Sequence, residues 1–309
     1  MRDDLFYWLA LHREFIWKFT PRELYYIKRS FNTIQDFWKA TDAQLRHFAE
    51  EINMKKSKIE YFIKRRNLIN FDIISKTLNE IRDKGIKILT CFDDDYPDLL
   101  KSPKCLAKLS SNIFIYNPRM LFITGSRINF TKCVSIVGTR RCSEEGFELA
   151  YHISNELAKK GITVVSGMAI GIDTAAHKGA IDSNGTTIAV LPWLDPIYPK
   201  ENTDLANDIK KHGCLLSEFY RKDFVKIRTK WFLERDKIIS AISKKILIVE
   251  TGRKGGSIRV ARIANMLKRE IYVCEPQIDD EDKWLGFNRL RKYYNAKVFK
   301  SINDIITNL

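Results

Sequence analysis

The sequence has no run approaching the roughly 18 uninterrupted apolar residues that a membrane span needs. Met1 to Ala10 carries two aspartates and an early Trp8, not a basic segment followed by a long apolar one, so no signal peptide is expected. A soluble, cytoplasmic protein is the expectation. Paired cysteine motifs are also missing. The six cysteines (Cys91, Cys105, Cys133, Cys142, Cys214 and Cys274) are scattered, with no C-x-x-C and no histidine at metal-ligand spacing, which predicts buried, reduced thiols and no metal site. Neither G-x-G-x-x-G nor G-x-x-x-x-G-K-[ST] follows a strand pattern, so no standard nucleotide fingerprint is present. No paired-carboxylate spacing and no nucleophile–base pair can be read, and neither a cofactor nor a catalytic residue is predicted.

Acid is in deficit as well. Against 38 Asp and Glu stand 53 Lys and Arg, a formal charge of +15, and the pI is near 9.4. Such an excess favours a polyanionic partner, although composition alone fits a lysine bias that merely keeps the chain soluble equally well. What is present in quantity is core material: 45% hydrophobic residues and 12% aromatics exclude wholesale disorder. At 309 residues, a small domain plus a larger one is the natural division.

From Leu5 to about Asp83, apolar side chains recur at three- and four-residue steps, as in Leu5, Trp8, Leu9 and His12, then Leu24, Ile27 and Phe31, then Ile59, Phe62 and Ile63. This predicts a small helical domain over residues 1–84. Thr20-Pro21 and Thr41-Asp42-Ala43-Gln44 offer helix starts. The basic run Lys64-Arg65-Arg66 reads as a solvated helix face. After Gly85 the pattern changes to strand-like runs alternating with helical stretches: Ile86 to Cys91, Cys133 to Val137, Ile162 to Ser166, Thr186 to Leu191, Cys214 to Ser217, Lys245 to Glu250 and Glu270 to Cys274. Alternation of this kind predicts an α/β domain over 85–309 with a Rossmann-like, doubly wound, mostly parallel sheet.

In such a sheet, ligands collect outside the carboxyl ends of the strands, where helix N-termini and free amides point. Three loops have that address. In Gly138-Thr139-Arg140, glycine permits close approach, Thr139 offers a hydroxyl and Arg140 can donate a bidentate pair of hydrogen bonds to phosphate. Ser166 and Gly167 open the second loop, which runs through Ile170 to Asp173 and into a helix carrying His177 and Lys178. The third is Thr251-Gly252-Arg253-Lys254-Gly255-Gly256-Ser257, again opening a helix. One glycine loop is ordinary turn chemistry, but three on one sheet edge, in a basic chain, point to a phosphate-rich ligand.

The motif order resembles the core of the DNA-processing protein A (DprA/Smf) family. It runs Ile136-Val137-Gly138-Thr139-Arg140; Ser166-Gly167-Met168-Ala169-Ile170-Gly171-Ile172-Asp173-Thr174-Ala175-Ala176-His177-Lys178-Gly179-Ala180; Leu194-Asp195-Pro196-Ile197-Tyr198-Pro199; Leu216-Ser217-Glu218-Phe219; Phe232-Leu233-Glu234-Arg235-Asp236-Lys237; and Gly256-Ser257. The resemblance covers roughly residues 119 to 300, and the N-terminal helices fit that family's small helical, SAM-like domain more loosely. It implies a non-catalytic protein that binds single-stranded DNA, self-associates as a homodimer, and helps load a RecA-type recombinase in recombination and DNA uptake.

Gly138-Thr139-Arg140 falls on the family's glycine-serine-arginine phosphate site, with the hydroxyl kept. The candidate DNA contacts are those three together with Ser166, Gly167, Lys178, Arg235, Lys237, Arg253, Lys254, Gly256 and Ser257. Departures are equally specific. The family's basic residue in the second loop falls on Ile170, its arginine-asparagine-arginine run reads Arg235-Asp236-Lys237, its serine-glycine-serine reads Gly255-Gly256-Ser257, and its late proline-glycine reads Pro276-Gln277. With Leu309 as the last residue, the winged-helix domain that many relatives append is not expected.

Two other readings use the same residues differently. A nucleotide-binding sensor or nucleotide phosphoribohydrolase would employ Asp173, His177, Glu218 and Glu250, which otherwise read as a helix cap, a hydrogen-bonded histidine and two glutamates that organise loop amides. An interaction protein would work through N-terminal aromatics such as Trp8, Trp17, Tyr25, Trp38 and Phe48, although helical spacing reads them as core. Trp193, Trp231 and Trp284 fall in loop-like segments, and Trp231, near Arg235, is a candidate for stacking on a base.

Overall fold

Threonine hydroxyls set where the first helices begin. The computed structural model describes residues 4–307 apart from 16–17, 102–107, 110–112, 115–117, 128 and 224–229. Six helices precede the first strand among these: α1 (Leu5–Phe15), α2 (Pro21–Ser30), α3 (Ile34–Lys39), α4 (Asp42–Glu51), α5 (Lys56–Arg66) and α6 (Phe71–Asp83). Thr20, Thr33 and Thr41 each accept a hydrogen bond from the amide three residues on, while Glu23, Asp36 and Gln44 reach back to the cap amide. Each reciprocal box satisfies two amides that a helix start leaves unpaired, and losing its threonine costs about 1 kcal/mol.

The remaining elements alternate. They are β1 (Lys87–Thr90), α7 (Asp98–Lys101), β2 (Lys108–Leu109), β3 (Ile113–Phe114), β4 (Met120–Gly125), β5 (Cys133–Val137), α8 (Glu144–Lys159), β6 (Thr163–Ser166), α9 (Ile172–Asp182), β7 (Thr187–Val190), α10 (Thr203–His212), β8 (Cys214–Ser217), α11 (Trp231–Ile242), β9 (Lys245–Ile248), α12 (Gly256–Met266), β10 (Glu270–Val273), α13 (Glu281–Tyr294), β11 (Lys297–Val298) and α14 (Ile302–Ile306). Nine strands form one sheet in the order β1-β4-β8-β7-β6-β5-β9-β10-β11, and β2 pairs with β3 apart from it. From β8 to β11 every pairing is parallel, while β4 runs antiparallel to both β1 and β8. The doubly wound, mostly parallel sheet is therefore present, with an antiparallel margin at β4 that the sequence reading did not include.

Every residue of β5, β6, β7, β8 and β9 is buried, which is why these strands read as unbroken apolar runs. On one face Ile136 and Val164 pack with α8 and α9 through Leu157 and Ala176; on the other, Val137 and Ile248 meet α11 and α12 through Ile239 and Ala261. The apolar side chains of α1–α6 merge with Met120, Phe122, Leu215 and Phe219 into a third cluster. From β5 the chain proceeds outward through β6, β7 and β8, then returns to β5's other side to lay down β9, β10 and β11. That reversal makes the carboxyl ends of β5 and β9 the sheet's switch point, where the loops diverge and leave a crevice.

Three readings need correction. Arg66 is not on a solvated face: only 8% exposed, it donates from Nη1 to the Trp38 and Ala40 carbonyls (2.7 Å each) and from Nη2 to Asp42 (2.6 Å). Trp231 and Trp284 lie in α11 and α13, not in loops. Trp8, Trp38 and Phe48 are core, but Tyr25 is exposed; Trp17 lies outside the described residues. Cys133, Cys214 and Cys274 are buried free thiols, their pKa pushed up to about 12 by burial, whereas Cys91 and Cys142 are partly buried; Cys105 lies outside the described residues. Among the described residues no helix is long and apolar enough to cross a membrane.

Candidate functional site

Gly138 leaves β5 through a gap that admits no side chain. A Cβ there would stand 2.5 Å from Ile172 Cγ1 and 2.8 Å from the Glu250 carbonyl. The Thr139 amide donates to that carbonyl (2.7 Å), and the Thr139 hydroxyl accepts from the Arg141 amide (3.2 Å), so the turn closes with Arg140 and Arg141 displayed outward. The second loop is clamped against the first. Gly171, at φ +89°, brings its backbone so close to the Thr139 carbonyl that a Cβ would sit 2.6 Å away. Asp173 accepts from the Ala169 amide (3.2 Å), and Asn202 donates to the Met168 carbonyl and the Thr174 hydroxyl (2.9 Å each). In the third loop the Thr251 and Ser257 hydroxyls share a hydrogen bond (2.6 Å) at the N-terminus of α12.

Gly138→Ala is accordingly expected to destabilise the fold by about 1–3 kcal/mol, because backbone and a buried isoleucine must both give way. Chemical denaturation checks it; an unchanged midpoint would refute the steric account.

Between the three loops lies a cleft of ≈ 340 Å³. Five cations line it (Arg140, Arg141, Arg235, Lys254 and Arg259) against two carboxylates, Asp173 and Asp236. The floor is largely self-neutralised: Arg259 holds Asp236 through Nε and Nη2 (2.5 Å each), and Arg235 lies 3.1 Å from Asp236 and 3.7 Å from Asp173. Burial nevertheless holds both carboxyl groups above their ordinary range, against the pull of Arg235. Arg140, Arg141 and Lys254 stand exposed at the rim, so the net positive field faces solvent. Phe232 completes the wall, its ring centroid 6.0 Å from the Arg140 guanidinium and 5.9 Å from that of Arg235. Gly167 makes room below: a Cβ there would overlap Arg235 Nη1 at 1.6 Å.

The structure thus brings together Gly138, Thr139, Arg140, Arg235, Lys254, Gly256 and Ser257 on the cleft wall. It places the other candidates elsewhere. The Ser166 hydroxyl donates to the Ile136 carbonyl inside the sheet (2.6 Å), and Gly167 supports Arg235 without lining the cleft. Lys237 is buried, with Nζ 2.8 Å from both Glu234 oxygens: one step along α11 from Asp236 turns it about 100° away. Lys178 is exposed on α9 away from the cleft wall, and Arg253 pairs with Asp282 (3.4 Å) and lines a neighbouring groove instead. Ile170, 46% exposed, adjoins the lining residue Ala169.

Arg141, Arg259 and Phe232 were not among the candidates. Arg141 could have been found beside Arg140, and Arg259 in the first turn of a helix opened by a glycine loop.

Of the four acid–base candidates, Glu250, Glu218 and His177 lie off the cleft wall. Glu250 accepts from the Ser143 amide (3.0 Å) and hydroxyl (2.6 Å) and pairs with Lys283 (3.0 Å), fixing the start of α8. Burial and the neighbouring Glu234 push Glu218 up to about 8. Burial lowers His177 to about 3, so its ring is neutral, with Nδ1 2.7 Å from the Thr187 hydroxyl. Asp173 lines the cleft, but its helix begins after Gly171, so it pins the loop and does not cap the helix. Trp231 is 7% exposed, which removes it as a stacking surface.

Comparison with known proteins identifies the family. The family described as DNA recombination-mediator protein A matches residues 87–309. Protein Smf of Synechocystis sp. is 31% identical over 313 aligned residues, spanning 98% of this chain and 72% of that protein. DNA processing protein DprA of Bacillus subtilis is 32% identical over 212 residues, 67% of this chain and 66% of the relative. The X-ray structure of DprA from Streptococcus pneumoniae superposes with a TM-score of 0.69 at 25% identity, covering 94% of this chain and 98% of that one. The Helicobacter pylori protein, whose structure addresses a unique single-stranded DNA binding mode, superposes at 0.56 with 26% identity over 72% of this chain and 95% of its own. With its switch-point cleft and a family match over most of its length, the chain belongs to the DNA recombination-mediator protein A family, alongside the Smf and DprA proteins.

Proposed function

We propose that the cleft holds the sugar–phosphate backbone of single-stranded DNA and that the protein is a non-catalytic, cytoplasmic recombination mediator. The observation that carries this reading is the charge arrangement: carboxylates neutralise the floor, while Arg140, Arg141 and Lys254 remain exposed at the rim of loops whose backbone is fixed. A recessed site of ≈ 340 Å³ suits one flexible strand threading phosphates past the rim, with the Phe232 ring offered to an unpaired base. Residues 1–84 form the helical part and 85–309 the DNA-binding unit in this reading. Self-association as a homodimer and delivery of the bound strand to a RecA-type recombinase complete it, supported by family membership.

A salt-series titration against single-stranded DNA, duplex DNA and free nucleotides tests the proposal. The expected result is tightest binding to single strands, affinity falling with salt, and no nucleotide turnover. Equal affinity for duplex would refute the strand preference. Turnover abolished by Asp173→Asn would replace the mediator with an enzyme, since Asp173 is the one acid–base candidate on the cleft wall.

A further inference from the structure

We propose that Tyr198 is a base-stacking position one step outside the cleft, so that the strand leaves the phosphate site over an aromatic path running from Phe232 to Tyr198; the proposal rests on the single-stranded DNA reading. Phe232 belongs to the cleft wall, beside the guanidinium groups of Arg140 and Arg235. The Tyr198 ring centroid is 5.6 Å from that of Phe232 at an interplanar angle of 70°, and Trp193 closes the triangle at 5.5 Å from Tyr198 and 6.1 Å from Phe232. Trp193 is itself anchored, its indole N–H donating to the Pro196 carbonyl (2.8 Å).

The rings here differ in exposure. Trp193 and its neighbour Trp231 are 6% and 7% exposed, whereas Tyr198 is 38% exposed although two rings brace it. A braced aromatic with a large open surface is preorganised for a flat apolar partner, since little side-chain entropy is left to lose on contact. Cations border the cluster: Arg140 stands beside Phe232, and exposed Lys222 lies 5.4 Å from the Trp193 ring and 5.8 Å from that of Trp231. An exposed aromatic one ring removed from the Arg140 guanidinium suits a strand, which alternates bases with phosphates.

The test measures binding of the full chain to an oligothymidylate and to an abasic oligonucleotide of equal length and charge. Tyr198→Ala is expected to lose about tenfold in affinity for oligothymidylate and nothing for the abasic strand, while Tyr198→Phe keeps parental binding to both. Tyr198→Leu, which preserves packing against Phe232 and Trp193, should show the same base-dependent loss with an unchanged melting temperature. The stacking position is overturned if Tyr198→Ala and Tyr198→Leu bind both strands like the parent, or lose both equally. A parent that binds neither strand would overturn the phosphate cleft itself, an outcome distinct from the first two.

Discussion

Arg140→Ala is expected to weaken single-strand binding by about 1.5–3 kcal/mol, while neutralising Lys64 and Arg65 together leaves affinity unchanged. The difference lies in what each cation already does. Arg140 stands at the cleft rim, and the nearby Asp236 is committed to Arg235 and Arg259. Its charge is therefore available to a phosphate. Losing one phosphate contact should also reduce the magnitude of the log-affinity against log-salt slope by about 0.7. Arg235→Ala should weaken binding in the same direction, but it would also strip a buried Asp173 of its cation and lower stability, so it is the less clean experiment. A folded Arg140→Ala that bound like the parent, with binding lost in the Lys64 and Arg65 variant, would move the DNA surface to the helical part.

Sequence and structure agree where local chemistry decides the outcome. Cys133–Val137 and Lys245–Ile248 announce themselves because parallel strands are covered on both faces and so read as continuous apolar runs. Thr41 could be read as a cap because a threonine before Asp42 supplies both the hydroxyl and the acidic first turn that a helix N-terminus favours. Met120–Gly125 carries the same apolar signature, yet nothing within it states that it runs antiparallel to β8; direction is settled by partners nearly a hundred residues away. The cleft shows the same division. Glycine at a strand's end marks a loop for close approach, so Gly138, Thr139 and Arg140 were legible. Which side of α11 would face the cleft was not. That depends on α12 packing against it, which turns Asp236 toward Arg259 and leaves Lys237 to Glu234. Ile170 shows where resemblance and geometry part: its loop is kept, held by Asp173 and Asn202, but the exposed side chain at its tip carries no charge.

Arg66→Ala is expected to cost about 2–4 kcal/mol of stability while leaving DNA affinity unchanged in the folded protein. Arg66 ends α5 beside Lys64 and Arg65, and a charge count cannot tell the three apart. Its guanidinium is inserted where α3 ends and α4 begins, donating to the Trp38 and Ala40 carbonyls and to Asp42 in the first turn of α4. Carbonyls at a helix C-terminus have no partner within the helix, and a cation there also meets the negative end of the helix dipole. Alanine would leave two carbonyls poorly satisfied beside the core residues Phe37 and Phe62; the Asp42 contribution is smaller, since that side chain is half exposed. Lysine should not rescue the loss, because one ammonium on a flexible stem cannot span two carbonyls and a carboxylate as the planar fork does. Urea denaturation of Arg66→Ala, Arg66→Lys and Lys64→Ala checks the ranking, with Lys64→Ala within about 0.5 kcal/mol of the parent. An Arg66→Ala variant as stable as Lys64→Ala would show that this guanidinium does not hold the helix junction.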